Sequence, residues 1–237
     1  MRKSLQAVLV VGSLVSAPAM ADKLDITITN LTNGTYFTPL LIAAHPKGVH
    51  LFQPGSAAST HLQAMAEGGD ISGLSADMDA IGADTSVNPA GGPLAPGAST
   101  SLTLRTSRAN KALSITAMLV PTNDGFVGLD ALPLPKKPGT YTYTLNGYDA
   151  GTEANNEIVN GGGTPGVLGI PGDPGGHNGT GASGVTINEV NTVVHIHPGV
   201  LGDDILSGGS SDLDSSVHRW LNPVAKLVVT VRKGNHY

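Results

Sequence analysis

Apolar and polar side chains alternate with a period of two along several short stretches of the chain. Leu24, Ile26 and Ile28 alternate with Asp25, Thr27 and Thr29, the pattern of a strand with one buried face. Residues 99–106 repeat it with Leu102 and Leu104 inward, residues 141–145 alternate in the same way, and residues 225–232 place Leu227, Val229 and Val231 on one side. Residues 112–120 are apolar almost throughout, which predicts a central strand covered on both faces. Residues 192–197 are rich in β-branched side chains and predict a further strand. Turn chemistry punctuates these runs at Asn33-Gly34, Pro96-Gly97, Asn123-Asp124-Gly125 and Pro138-Gly139. Helical spacing is confined to residues 60–67, with Leu62, Met65 and Ala66 inward, and to residues 214–221, with Asp214 as N-cap and Asn222-Pro223 as the stop. Many strands with little helix between them predict an all-β domain, a single antiparallel β-sandwich of about eight strands.

Two segments stand outside this pattern. Residues 1–21 carry a basic start at Arg2 and Lys3, an apolar run, and the small residues Ala19-Met20-Ala21. That is the plan of an export signal, and the apolar run is too short for a membrane anchor. The sandwich then occupies residues 22–237, in the periplasm or outside the cell. Residues 160–184 hold 11 glycines in 25 positions and predict a long mobile loop. Gly161, Gly163 and Gly166 fit a dinucleotide-binding spacing, but Pro165 and the lack of a strand-then-helix setting speak against it.

Composition narrows the function. The chain of 237 residues has no cysteine, 13 basic and 18 acidic side chains, and a formal charge of −5. Thiolate metal sites, disulfides and cysteine nucleophiles are excluded, and with no basic cluster nucleic acid is not the expected partner. No Gly-x-Ser-x-Gly elbow is present. Three Phe, one Trp and five Tyr leave little to line a carbohydrate groove, so the expectation is a non-enzymatic protein.

Two candidate chemistries remain. Asp124 follows the apolar strand ending at Val120, while Asp149 and Glu153 follow the strand ending at Leu145. If those strand ends are neighbours, three carboxylates converge. At an effective dielectric near 20, two charges about 6 Å apart repel by roughly 3 kcal/mol. A hard divalent cation, calcium above all, removes that repulsion. The plainer reading makes them turn residues that accept bonds from backbone N–H groups. The second candidate is His195 and His197, two apart on a strand and so on one face, a pair suited to a transition metal in an enzyme or metal carrier.

Several stretches resemble the spondin N-terminal domain family, in particular its secreted bacterial single-domain members. They are Asn30-Leu31-Thr32 to Phe37-Thr38-Pro39, Gly92-Pro93-Leu94-Ala95-Pro96-Gly97, Val120-Pro121-Thr122-Asn123-Asp124, Asp149-Ala150-Gly151-Thr152-Glu153 and Val217-His218-Arg219-Trp220-Leu221-Asn222-Pro223. The resemblance implies an eight-stranded antiparallel sandwich, a calcium ion in the loops at one end, and an adhesion or matrix-type role with an unidentified protein or surface ligand as partner. Asp124, Asp149 and Glu153 match the calcium ligands of the animal members, which carry Asp where this chain has Glu153.

Overall fold

In the computed structural model, residues 22–185 and 189–232 are described. The predicted export signal lies outside them. Among the described residues, ten strands and two helices follow in the order β1 (Asp22–Asn30), β2 (Tyr36–Phe37), β3 (Leu41–His45), α1 (Thr60–Gly68), α2 (Ser72–Ala80), β4 (Asp84–Val87), β5 (Ser99–Thr106), β6 (Ala112–Val120), β7 (Gly125–Pro133), β8 (Gly139–Asp149), β9 (His195–Ile196) and β10 (Ala225–Arg232). All ladders are antiparallel, and eight strands form one path, β4-β3-β6-β7-β8-β10-β1-β5, with β2 added beside β6 and β9 beside β8. The all-β antiparallel architecture expected from the sequence is present.

The path curls over a single interior. Leu24, Ile26 and Ile28 of β1 and Leu227, Val229 and Val231 of β10 face Leu113, Ile115, Ala117 and Leu119 of β6, with Ile42 and Ala44 of β3. The opposite face of β3 and β6 presents Leu41, Ala43, Met118 and Val120, and Leu62, Met65 and Ala66 of α1 with Leu74 and Met78 of α2 cover it. Every residue of β6 is therefore buried, the physical reason its sequence does not alternate.

The sequence reading differs from the structure at several elements. Residues 214–221 do not form the predicted helix. One turn closes, with the Val217 and His218 amides donating to Asp214 O at 3.1 and 2.9 Å, and the chain then leaves to bury Trp220 in the main core. The helix α2 was not expected, nor were β3, β4 and β7. β3 is buried on both faces and so shows no alternation, whereas β7 contains two glycines and a proline. The strand expected over residues 192–197 is reduced to the two residues of β9.

The Gly-rich loop is fastened rather than free. Gly166 N–H donates to Glu67 Oε2 at 2.6 Å and Gly169 N–H to Glu153 Oε2 at 3.1 Å. Ile170 enters the main core, and its amide donates to Ile158 O at 2.8 Å. Farther along, Asp212 accepts from Thr180, Gly181 and Ala182 N–H with one oxygen and from Val159 N–H with the other. Close backbone approach accounts for one glycine of the loop, Gly162, and for Gly68 at the end of α1 that the loop packs on. A side chain at Gly162 or Gly68 would meet the carbonyl oxygen of Gly169 or Gly163 within 2.4 Å.

Candidate metal centre

One end of the sheet collects the acidic residues. Strand β6 stops at Val120, and a tight turn follows in which Thr122 Oγ1 donates to Leu119 O at 2.6 Å and accepts from Gly125 N–H at 3.0 Å. That turn sets Asp124 at the head of β7. The partner strand β8 runs antiparallel and ends in register, Gly125 opposite Asp149, while β9 places His195 opposite Asp149 on the other side. The Ala150 amide donates to Asp124 O at 3.2 Å. Asp124 and Asp149 are thus neighbours at one pole of the sheet.

Both aspartates are fully buried. Asp124 Oδ2 accepts from Thr152 N–H at 2.8 Å, Thr152 Oγ1 at 3.1 Å and Glu153 N–H at 3.1 Å. Its Oδ1 has no partner. Asp149 Oδ1 accepts from Gly151 N–H at 2.7 Å, and its Oδ2 accepts from Asn155 Nδ2 at 2.7 Å. His195 Nδ1 lies 3.7 Å from Asp149 Oδ1. Among the described residues, no lysine or arginine pairs with either aspartate.

Glu153 is placed differently. Its backbone N–H serves Asp124, but its carboxylate Oε2 accepts from Asn123 Nδ2 at 3.3 Å and from Gly169 N–H at 3.1 Å, and its Oε1 is buried without a partner. The carboxylates of Asp124, Asp149 and Glu153 do not all meet within 4.8 Å. Instead, one ligand atom from each of Asp149, Glu189 and His195 does. Asn155 ties the two carboxylates of this trio together. Its side-chain amide donates to Glu189 Oε1 as well as to Asp149, and its backbone N–H donates to Glu189 Oε2 at 3.0 Å. Glu189 escapes sequence reasoning because it lies in an irregular segment with no periodicity, forty positions beyond Asp149.

His197 does not join His195 in a ligand group. Its Nδ1 accepts from Gly199 N–H at 2.9 Å, its ring packs 5.0 Å from that of Trp220, and its buried Nε2 has no partner.

The family model described as Spondin_N matches residues 30–158, more than half of the chain and the segment that carries Asp124, Asp149 and Glu153. The chain belongs to the Spondin_N family. No curated protein matches it. Spondin_N domains are of an extracellular, matrix type, and none of the helices of this one among the described residues is long and apolar enough to cross a membrane. Glu189, His195 and His197 lie beyond the matched segment, so the part of this spondin-type domain that faces Asp149 from β9 is contributed by sequence outside the family model.

Charge state follows from burial. Desolvation, then repulsion from Asp149, lifts the Asp124 carboxyl to about 7 against the pull of the Thr152 and Glu153 donors. Asp149 is raised, first by burial. Glu153 also rises to about 7, through burial and the nearby Glu67, against bonds from Gly169 and Asn123. In the unfolded chain these carboxyls release their protons near 4. The native state therefore holds protons that the unfolded state has lost, and stability falls as pH rises from about 4 to about 7. His197 acts in the opposite sense. Burial, with repulsion from His195, lowers its pKa to about 3, so its contribution is present above the unfolded value near 6.5 and is lost on acidification. Three carboxyls outweigh one imidazole. Metal-free protein is expected to melt at a lower temperature at pH 8 than at pH 5.5, measured by calorimetry in the presence of a chelator. A melting temperature that climbs across that interval contradicts the assignment.

Proposed function

We propose that this domain is an exported, non-enzymatic adhesion or matrix-type binding module whose loop end is made rigid by calcium held between Asp124 and Asp149. The observation that carries the reading is the pairing of two buried carboxylates at adjoining strand ends, one of them with an oxygen that no protein donor serves. A buried carboxylate without a partner is costly, and a hard cation supplies what is missing. Glu153, whose Oε1 is likewise unserved, is the third ligand of this proposal, and its side chain would have to turn from Asn123 and Gly169 toward the two aspartates to join them. The loops bearing these residues also fasten the Gly-rich segment, so the ion would stiffen a broad irregular surface suited to a protein or surface partner. Membership of a matrix-type family supports the adhesion role.

The test is calcium titration of protein stripped by chelation, followed by thermal melting. At about a hundredfold over the dissociation constant, stabilisation of ~2.7 kcal/mol is expected. Asp149→Asn should lose that response. Superimposable melts with calcium and with chelator overturn the proposal. The adhesion role is tested by retention of the protein on cell-envelope or matrix surfaces with calcium and its release by chelator.

A further inference from the structure

The geometry points to a second metal site, in which Asp149, Glu189 and His195 hold a first-row divalent transition ion such as zinc. It shares Asp149 with the calcium reading but stands on a different donor set and does not require that reading.

Three arguments support it. The first is convergence. One ligand atom from each of the three residues lies within 4.8 Å of the others, and ligand bonds of about 2.0–2.2 Å bring such atoms to within about 4 Å with a small contraction. The second is donor chemistry. An imidazole nitrogen with two carboxylates suits zinc and its neighbours, whereas calcium takes oxygen ligands. Three protein ligands would also leave a coordination position open.

The third argument is that the surroundings are built around the group. Asp149 and His195 are a register pair of β8 and β9, so rigid strands set their separation. Val193 O lies 2.8 Å from His195 Nδ1, the nitrogen that also faces Asp149 Oδ1 at 3.7 Å; an ion would bind Nε2 with Nδ1–H kept on Val193 O, or take Nδ1 and displace that bond. Asn155, itself buried, bonds both carboxylates at once. Of the three ligands, only Glu189 lines the neighbouring cavity of about 170 Å³, beside Thr152 and Glu153. His197 takes no part.

Isothermal titration of chelator-stripped full-length protein with zinc chloride, and separately with calcium chloride, tests this. One equivalent of zinc is expected, with a shift of the His195 ring signals in the NMR spectrum of the unsubstituted protein. His195→Ala and Glu189→Gln should each weaken zinc by at least about tenfold while leaving the calcium affinity within about twofold. Asp124→Asn should do the reverse, and Asp149→Asn should lose both ions. Absence of zinc binding, an unmoved His195 signal, or zinc affinity unchanged in both His195→Ala and Glu189→Gln overturns the inference. Zinc binding that depends on the trio, with no calcium binding at all, sinks the calcium proposal and leaves this one standing.

Discussion

Replacing Asp124 by asparagine is expected to raise the melting temperature of the metal-free protein at pH 8 and to abolish its response to calcium. At that pH the native carboxyl, with a pKa of about 7, is ionised, fully buried and set against Asp149. A displacement of about three pKa units corresponds to roughly 4 kcal/mol of native-state cost. The amide is neutral and nearly the same shape. Its oxygen can keep the bonds from Thr152 and Glu153, and its Nδ2 group replaces an oxygen that had no partner by a donor beside a carboxylate. Allowing for imperfect geometry, the gain should be about 2–4 kcal/mol, or on the order of 5–10 °C at about 2–4 °C per kcal/mol for a domain of this size. At pH 5 the native carboxyl is protonated, and the difference should shrink to nearly nothing. Scanning calorimetry at both pH values, with chelator and with calcium, checks all of this. A lower melting temperature for the variant at pH 8, or an undiminished calcium shift, rules it out.

Asp212→Ala should have a comparably large effect of opposite sign, in a different part of the molecule. This nearly buried carboxylate accepts from Val159 N–H at 2.8 Å, from Thr180 N–H at 2.7 Å, from Gly181 and Ala182 N–H at 3.1 Å, and from Thr180 Oγ1 at 3.1 Å. Burial acts to raise its pKa, but the bonds from the Ala182, Val159 and Thr180 amides outweigh it and leave the carboxyl below its usual value. Alanine strips the acceptor from all of these donors. Each donor left unserved in a buried place costs about 1–3 kcal/mol. Since water can reach part of the loop, the expected loss is about 3–4 kcal/mol. The loss should be local. Hydrogen exchange at Val159 and Thr180–Ala182 should accelerate strongly, while the amides of β1 and β10 keep their protection. Asp212→Asn, which retains one acceptor, should lose roughly half as much. Unchanged exchange at Thr180–Ala182 in the alanine variant would show that the carboxylate does not hold the loop.

The legible elements and the hidden ones differ for identifiable reasons. β1, β5, β6 and β10 could be read because one face alternates, or because a long apolar run can only be a covered strand. α1 could be read from Leu62, Met65 and Ala66, all of which are buried. β3 is hidden because helices cover its second face, and β7 because Gly125 and Gly128 sit where larger side chains do not fit. A Cβ at Gly128 would lie 2.5 Å from the Phe52 ring. The Gly-rich loop reads as mobile from composition, yet Glu67, Glu153 and Asp212 hold it down, and each of these anchors is distant in sequence from the amides it binds. At the candidate site, Asp124 and Asp149 were legible from their positions at strand ends. Glu189 was not, since nothing local distinguishes it from any exposed glutamate.

What the chain determined by itself is local: which stretches extend, where turns fall, that no thiol chemistry is available, and which acidic residues sit at strand ends. Only the tertiary structure decided which strand ends adjoin, that Glu153 turns toward Asn123 and Gly169, and that His195 and Glu189 meet Asp149. Periodicity and turn chemistry act over a few residues through backbone sterics and the burial of one face. The identity of a carboxylate's neighbours depends on strand order and on the route of the irregular segments, which no short-range preference specifies.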